Sequence, residues 1–212
     1  KVGEKIQDIC PTHLGSKDWQ PSAFSPRTGL IYAAIFNVCM DLTDHKVAYI
    51  PGTPYDGMDI QTHSAGKTGK WGEFIAWNPL TGQRVWSIPE NFMTMSGTLA
   101  TAGDVVFYGT TDGWFRAVDA RSGKVLWSQK LGSGITSQPM TFLGPDGRQY
   151  VAVETGLGGV ASQIMSAKNG FPSRGGALYV FSLDGLSPNT SVAGMADTQG
   201  AGAPAAHYNA PD

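Results

Sequence analysis

An all-β fold is the fold class that this 212-residue sequence predicts, and three observations support it. Its 28 glycines and 13 prolines fall between short apolar runs, which is typical of strands joined by turns. No apolar stripe recurs with the 3.6-residue period of an amphipathic helix. Finally, one hairpin-like phrase occurs twice, as AWNPLTGQRVW at 76–86 and as AVDARSGKVLW at 117–127.

Nine strands are predicted, each bounded by turn sequences such as PRTG, PLTG, TTDG, ARSG and GPDG. They are LIYAAIF, EFIAW, QRVWSI, DVVFYGT, WFRAV, KVLWSQKL, QPMTFL, QYVAVETG and ALYVFSL. The segment 41–70, rich in Pro, Gly, Asp and Thr, is predicted to be a long surface loop. Beyond Leu183 the composition shifts to Ala, Gly, Pro, Asn and Thr. Residues 1–183 are therefore expected to form the folded part and 184–212 a mobile tail.

The repeated phrase predicts a hairpin that ends in a tryptophan. In each copy an Asn or Asp opens the turn, a Gly permits a positive φ, and the second strand reaches Trp86 or Trp127. A weaker third copy, FSPRTGLIY at 24–32, ends in a tyrosine. A period of about 40 residues with about four short strands each is typical of a β-propeller. An antiparallel sandwich is the alternative, but two matching tryptophans favour matching docking pockets on successive blades.

Composition excludes some classes of partner. The net charge is −2 and only 15% of residues are charged, so no basic field is present to attract nucleic acid or an anionic membrane. The apolar runs are far shorter than the roughly 20 residues of a membrane-spanning helix. We therefore expect no nucleic-acid partner and no membrane span, and favour a small molecule or a protein as partner.

The residues alone leave the role of the two cysteines open. Cys10 and Cys39 could form a disulfide, remain as reduced thiols or bind a metal, and the metal is the weakest interpretation because no second ligand stands at metal-site spacing. The four histidines are scattered along the chain. They are predicted to occupy exposed loops and to bind no metal.

Long blocks of the sequence resemble, in order, the C-terminal part of the PQQ-dependent alcohol dehydrogenases, the quinoprotein methanol and ethanol dehydrogenase family. These blocks are ICPTHLGSKDWQPSAFSPRTGLIY, NVCMD, SGTLATAGDVVFYGTTDGWFRAVDARSGKVLW, GPDGRQYVAVETGLGG and GALYVFSL. The resemblance covers about residues 1–183 and implies three to four blades of an eight-bladed propeller with tryptophan-docking motifs. It also implies an upstream N-terminal part, in a separate or missing chain, which would complete the last blade with a strand beside GALYVFSL.

The resemblance implies a chemistry as well. Such enzymes work in the periplasm, where they oxidise a primary alcohol by hydride transfer to PQQ and pass electrons to a cytochrome c. A calcium or lanthanide ion serves as Lewis acid. The metal ligands and the catalytic base are expected upstream, so no catalytic residue is assigned to this chain. By the same resemblance, Cys10 and Cys39 form a disulfide that suits an oxidising compartment.

Four positions are expected near the cofactor. Asp18 and Trp19 in GSKDWQ correspond to the family's cofactor rim, although a turn with a half-buried Trp would also explain them. Met95 and Val160 stand where many members have tryptophan, so they would reshape the pocket or simply pack in the core. These departures keep an alternative open, namely a non-enzymatic propeller of the same ancestry that serves as a binding scaffold.

Overall fold

The computed structural model describes residues 3–53, 57–158 and 175–183, and all its regular elements are strands. Within those residues no helix is long and apolar enough to span a bilayer. The fourteen strands are β1 (Lys5–Ile9), β2 (Ala23–Ser25), β3 (Leu30–Phe36), β4 (Val38–Asp44), β5 (Met58–Ser64), β6 (Gly72–Asn78), β7 (Gln83–Glu90), β8 (Thr98–Ala100), β9 (Val105–Gly109), β10 (Trp114–Asp119), β11 (Val125–Lys130), β12 (Met140–Leu143), β13 (Gln149–Thr155) and β14 (Ala177–Ser182).

The described residues form four antiparallel sheets, and three of these are successive blades. Blade 1 has the order β2-β3-β6-β7, blade 2 the order β8-β9-β10-β11, and blade 3 the order β12-β13-β14. The fourth sheet, β1-β4-β5, consists of β1 and a hairpin inserted between β3 and β6, and we call it the accessory sheet. The predicted all-β, partial-propeller fold is confirmed. The predicted tail, 184–212, lies outside the described residues.

The nine predicted strands are present, whereas β1, β2, β4, β5 and β8 were missed. The prediction of one long loop at 41–70 is wrong, because β4 ends at Asp44 within that segment and β5 spans Met58–Ser64. The expectation that the histidines occupy exposed loops is wrong for His63, which is half-buried in β5. His13 and His45 are exposed and lie outside strands, and His207 lies outside the described residues.

Aromatic and branched side chains fill the spaces between blades. Between blades 1 and 2, the fully buried rings of Phe74 and Tyr108 stack with centroids 3.9 Å apart. Between blades 2 and 3, Phe115 and Ile135 are fully buried and Phe181 packs against them. Both faces of blade 2 are therefore covered, which is what a propeller blade requires.

The two copies of the repeated phrase form matching turns. The side-chain Oδ1 atom of Asn78 accepts hydrogen bonds from two backbone amides of its turn, and Oδ1 of Asp119 does the same in the second copy. Gly82 and Gly123 follow with φ of +67° and +71°. This is the Asx-turn chemistry that the sequence predicts.

The tryptophan of the first copy docks on the second copy. The indole Nε1 of Trp86 donates a hydrogen bond to the carbonyl of Ala120 at 3.1 Å, and the ring covers Gly123. Tyr32, from the weaker third copy, donates to the same carbonyl at 3.0 Å. Trp127 instead packs edge-on against Phe181 of blade 3, with ring centroids 5.2 Å apart. Each tryptophan thus contacts the following blade, but through different partners.

Replacing Gly123 by alanine is expected to lower the free energy of unfolding by about 1–3 kcal/mol. Its new Cβ would lie 2.8 Å from two ring carbons of Trp86, and the residue would keep a positive φ. Gly82→Ala is the matched control, because its φ is also positive while no atom lies within 4 Å of the position that its new Cβ would take. Urea unfolding of the two variants should show the larger loss for Gly123→Ala, and equal losses would contradict the docking role of this glycine.

Candidate functional site

The segments that lead into the three innermost strands, β2, β8 and β12, are tied to one another. The backbone amide of Thr98 donates to the carbonyl of Pro21 at 3.0 Å, and that of Gly97 donates to the carbonyl of Ser137 at 3.1 Å. The side-chain amide of Gln138 then donates to the carbonyl of Thr98 at 2.8 Å. These bonds bring the inner ends of the three blades together, at the edge opposite the docking tryptophans. We call this region the axial end.

Asp18 and Trp19 lie on the segment that enters the axial end before β2. Both side chains are exposed, and Trp19 retains 53% of its accessible surface. Beneath them Gln20 is buried, accepts a hydrogen bond from the Asp18 amide at 3.2 Å and donates to the carbonyl of Ala34. The Lys17 ammonium donates to the backbone carbonyls of Asp18 and Gln20. The segment is thus held by backbone contacts, while no described residue hydrogen bonds to the Asp18 carboxylate.

Met95 is fully buried at the entrance to β8. It packs in a cluster with the buried side chains of Phe36, Val38 and Met93, against which Leu14 also packs. The segment before β2 and the segment before β8 therefore share one apolar support. Of the two alternatives that the sequence leaves open for Met95, the packing observed in this chain favours a core role.

A disulfide joins the start of the β1–β2 segment to β4. Cys10 and Cys39 are bonded with their Cα atoms 4.5 Å apart, as the resemblance implies. The bridge closes a loop with a sequence separation of 29 residues, which in the chain-entropy model contributes roughly 3–4 kcal/mol. The segment that bears Asp18 is consequently fixed at one end by this disulfide and at the other by Gln20.

Sequence reasoning missed the residues that support the site. Gln20 and Gln138 each precede an inner strand and donate side-chain hydrogen bonds to backbone carbonyls. A signal was present, because QPSAF at 20–24 and QPMTF at 138–142 repeat a Gln-Pro pair directly before these strands. Val160 lies outside the described residues, so its position relative to the axial end stays a prediction.

Similarity to known proteins agrees with this architecture. Residues 59–151 match the family model "PQQ: Glucose/ethanol/alcohol dehydrogenase, beta-propeller domain". The chain is 45% identical over 207 residues to a lanthanide-dependent methanol dehydrogenase of Methylacidiphilum fumariolicum, with 87% of this chain and 34% of that protein covered. It is 37% identical to a quinoprotein ethanol dehydrogenase of Pseudomonas aeruginosa, with 88% of this chain and 30% of that protein covered.

The fold is also shared with a solved structure. A europium-containing methanol dehydrogenase superposes with a TM-score of 0.79 at 46% identity, covering 86% of this chain and 36% of that one. The chain therefore spans about a third of the length of the relatives that it matches. On its sequence, its blades and these similarities, the chain belongs to the PQQ-dependent alcohol dehydrogenase family of β-propellers.

Proposed function

We propose that this chain is the C-terminal portion of a periplasmic PQQ-dependent alcohol dehydrogenase that oxidises a primary alcohol. The observation that carries the proposal is the axial end, where an ionisable and an aromatic side chain are exposed on a segment held by hydrogen bonds and a disulfide. PQQ, when bound, supplies the hydride acceptor, and a calcium or lanthanide ion supplies a Lewis acid. The metal ligands and the general base are expected in the upstream part of the enzyme.

The residues at the axial end fit the rim of a planar polar cofactor. The Asp18 carboxylate has acceptor capacity to spare among the described residues, and the half-exposed Trp19 offers an aromatic surface. Asp18 would accept a hydrogen bond at the cofactor edge, and Trp19 would shield that edge from water. Met95 would support this rim from below, since its own side chain has no exposed surface. Val160 is proposed to adjoin the same region.

An upstream part of the enzyme is proposed as the partner of two uncovered apolar faces. On blade 1, Phe24, Ile31 and Trp77 form one cross-strand row, and Phe24 and Trp77 are 57% and 37% exposed. On blade 3, Met140 and Val180 share a row and are 51% and 48% exposed. Exposed apolar rows of this kind mark interaction surfaces. Further blades packed on both faces, with an added strand beside β14, would cover them.

A periplasmic location and a cytochrome c electron acceptor complete the proposal. The disulfide supports the location, because such bonds persist in oxidising compartments. The acceptor follows from the family chemistry, in which the reduced cofactor must pass its electrons to a redox partner.

Asp18→Ala tests the proposed cofactor rim. In the full-length protein supplied with PQQ and either calcium or a lanthanide, we expect PQQ affinity to fall about ten- to a hundredfold, because a hydrogen bond to a charged group is lost. The melting temperature should stay unchanged, since the Asp18 side chain is exposed and no described residue hydrogen bonds to its carboxylate. Titration followed by the quinone absorbance measures the effect.

Asp59→Ala is the matched control, because the Asp59 side chain is 81% exposed and lies on the accessory sheet. It should leave PQQ affinity unchanged. If Asp18→Ala also left PQQ binding and alcohol oxidation unchanged, the proposal that Asp18 lies at the cofactor rim would be wrong. If the full-length protein bound no PQQ at all, the alternative of a non-enzymatic binding scaffold would replace the enzyme.

A further inference from the structure

Three potential metal ligands converge on the accessory sheet, one from each of its strands. Asp8 lies in β1, Asp41 in β4 and His63 in β5. Their ligand atoms all lie within 4.8 Å of one another. The imidazole Nε2 of His63 is 3.5 Å from Oδ1 of Asp8 and 3.5 Å from Oδ1 of Asp41. The three side chains therefore surround one point.

The tautomer of His63 is set by its other ring nitrogen. Nδ1 lies 3.3 Å from the backbone carbonyl of Ser64, and a carbonyl oxygen can only accept a hydrogen bond. Nδ1 must therefore carry the proton, which in the neutral ring leaves the lone pair of Nε2 facing the two carboxylates. Metal-binding histidines characteristically donate their second nitrogen to a carbonyl in this way.

Three ligand atoms that face one another in this way can share one divalent cation. A proton on Nε2 would form charge-assisted hydrogen bonds of about 2.7–2.9 Å, which is shorter than the separations observed here. Two ligands of one tetrahedral zinc ion, each at about 2.1 Å from the metal, stand roughly 3.4 Å apart. The observed separations of 3.5 Å match the second arrangement.

The surroundings hold these ligands in place. The Lys5 ammonium lies 2.9 Å from Oδ2 of Asp41, and the amide of Asp8 donates to Oδ1 of Asp41 at 3.1 Å. Cys10 and Cys39, the two ends of the disulfide, lie two residues from Asp8 and Asp41 respectively, and Cys39 is the cross-strand partner of His63. Two of the three strands that carry the ligands, β1 and β4, are thus covalently linked beside the site.

We propose that Asp8, Asp41 and His63 bind a divalent transition-metal ion of the zinc class. One imidazole nitrogen and two carboxylate oxygens are suitable first-row metal ligands. Water would complete the coordination, because the Asp8 side chain is 85% exposed. The ion would join β1 to the β4–β5 hairpin and so stabilise the accessory sheet.

The test compares zinc binding by the full-length wild-type protein and by His63→Gln, with zinc chloride as the probe. We expect His63→Gln to bind one zinc ion fewer per chain by isothermal titration, and to lose the rise in melting temperature that zinc gives the wild type. Cobalt(II) should give a visible absorption band in the wild type that is absent from His63→Gln. The difference in zinc stoichiometry between the wild type and His63→Gln excludes zinc that binds elsewhere on the protein.

His45→Gln is the matched control, because His45 lies beside the same sheet but faces a single carboxylate, Asp59, at 3.7 Å. It should bind zinc as the wild type does. Asp8→Asn provides a second variant that keeps the fold, since this side chain is mostly exposed, and it should weaken zinc binding at least tenfold. Equal zinc stoichiometry and equal cobalt spectra in the wild type and His63→Gln would overturn the proposal, as would undiminished binding by Asp8→Asn.

Discussion

Trp86→Ala is expected to lower the free energy of unfolding by about 3–5 kcal/mol, the range for large buried aromatic residues. The indole packs against Tyr32 and Phe74, each with ring centroids 5.8 Å away, and covers Gly123 of the next blade. Its Nε1 also donates to the Ala120 carbonyl. Removing it opens a cavity between blades 1 and 2 and deprives that carbonyl of a donor. Urea unfolding monitored by circular dichroism measures the loss.

Trp127→Ala is the matched comparison, with an expected loss of about 1.5–3 kcal/mol. This ring is 38% exposed and contacts Phe115 and Phe181, and no described residue accepts a hydrogen bond from its indole. Trp86→Phe should cost less than Trp86→Ala, since it keeps a ring, but it should still lose the hydrogen bond, worth about 1 kcal/mol. Equal losses for Trp86→Ala and Trp127→Ala would show that exposure and the hydrogen bond do not decide the strength of docking.

The sequence could predict the hairpins because their information is local. Asn78 and Asp119 bond amides only two and three residues away, and the glycine that follows supplies the left-handed turn. The strands that were missed depend instead on distant partners. Three-residue strands such as β2 and β8 are too short to show periodicity, and they exist because they pair along the inner edges of their blades.

The accessory sheet was missed for a related reason. Its strand β5 reads MDIQTHS, and its side chains are exposed or only half-buried, so little apolar alternation marks it as a strand. It is specified by pairing with β4 and, through β4, with β1 more than 50 residues away in sequence, at positions such as Asp8 and His63. A histidine that is isolated in the sequence thereby comes to lie beside two carboxylates.

The candidate site was predictable only in part. The family resemblance predicts the exposed pair Asp18 and Trp19 as cofactor-rim residues, which stays a prediction, whereas it gave no indication of the residues that support them. Gln20 and Lys17 donate hydrogen bonds to backbone carbonyls. Because every residue has a backbone carbonyl, such a bond leaves no recognisable residue type at the acceptor position. Met95 differs from Asp18 and Trp19. The resemblance suggests that it lines a pocket, but in this chain its side chain is fully buried by its neighbours.

A buried ion pair between blades 1 and 2 supports the second large prediction. Arg116 contacts the carboxylate of Glu90, and these side chains are only 18% and 7% exposed. Tyr108 donates to Oε1 of Glu90 at 2.7 Å and accepts from Arg116 at 3.1 Å. Burial raises the pKa of the Tyr108 hydroxyl far above its usual range, so Tyr108 acts as a neutral donor. The three groups satisfy one another away from water.

Arg116→Met is expected to cost about 3–5 kcal/mol at neutral pH, because it leaves an uncompensated carboxylate in the interior. Adding Glu90→Gln should restore most of that loss, since glutamine is neutral and still accepts the hydrogen bond from Tyr108. Thermal and urea unfolding of the two single variants and the double variant give the coupling energy directly. If the stability loss of the double variant equalled the sum of the losses of the two single variants, this account of the network would be contradicted.

Arg148→Met is the control, because the Arg148 and Asp146 side chains of its ion pair are 57% and 45% exposed, and surface pairs contribute at most about 1 kcal/mol. The pH dependence gives a further check. Without Arg116, the charge of the Glu90 carboxylate is buried and uncompensated, and burial penalises that charge. The Arg116→Met variant is then least impaired at acidic pH, where the carboxyl group is protonated, and loses stability as the pH rises and the group must ionise. Its deficit relative to the wild type should therefore be larger at pH 8 than at pH 5, and the Glu90→Gln/Arg116→Met double variant should lose this pH dependence, because glutamine does not titrate.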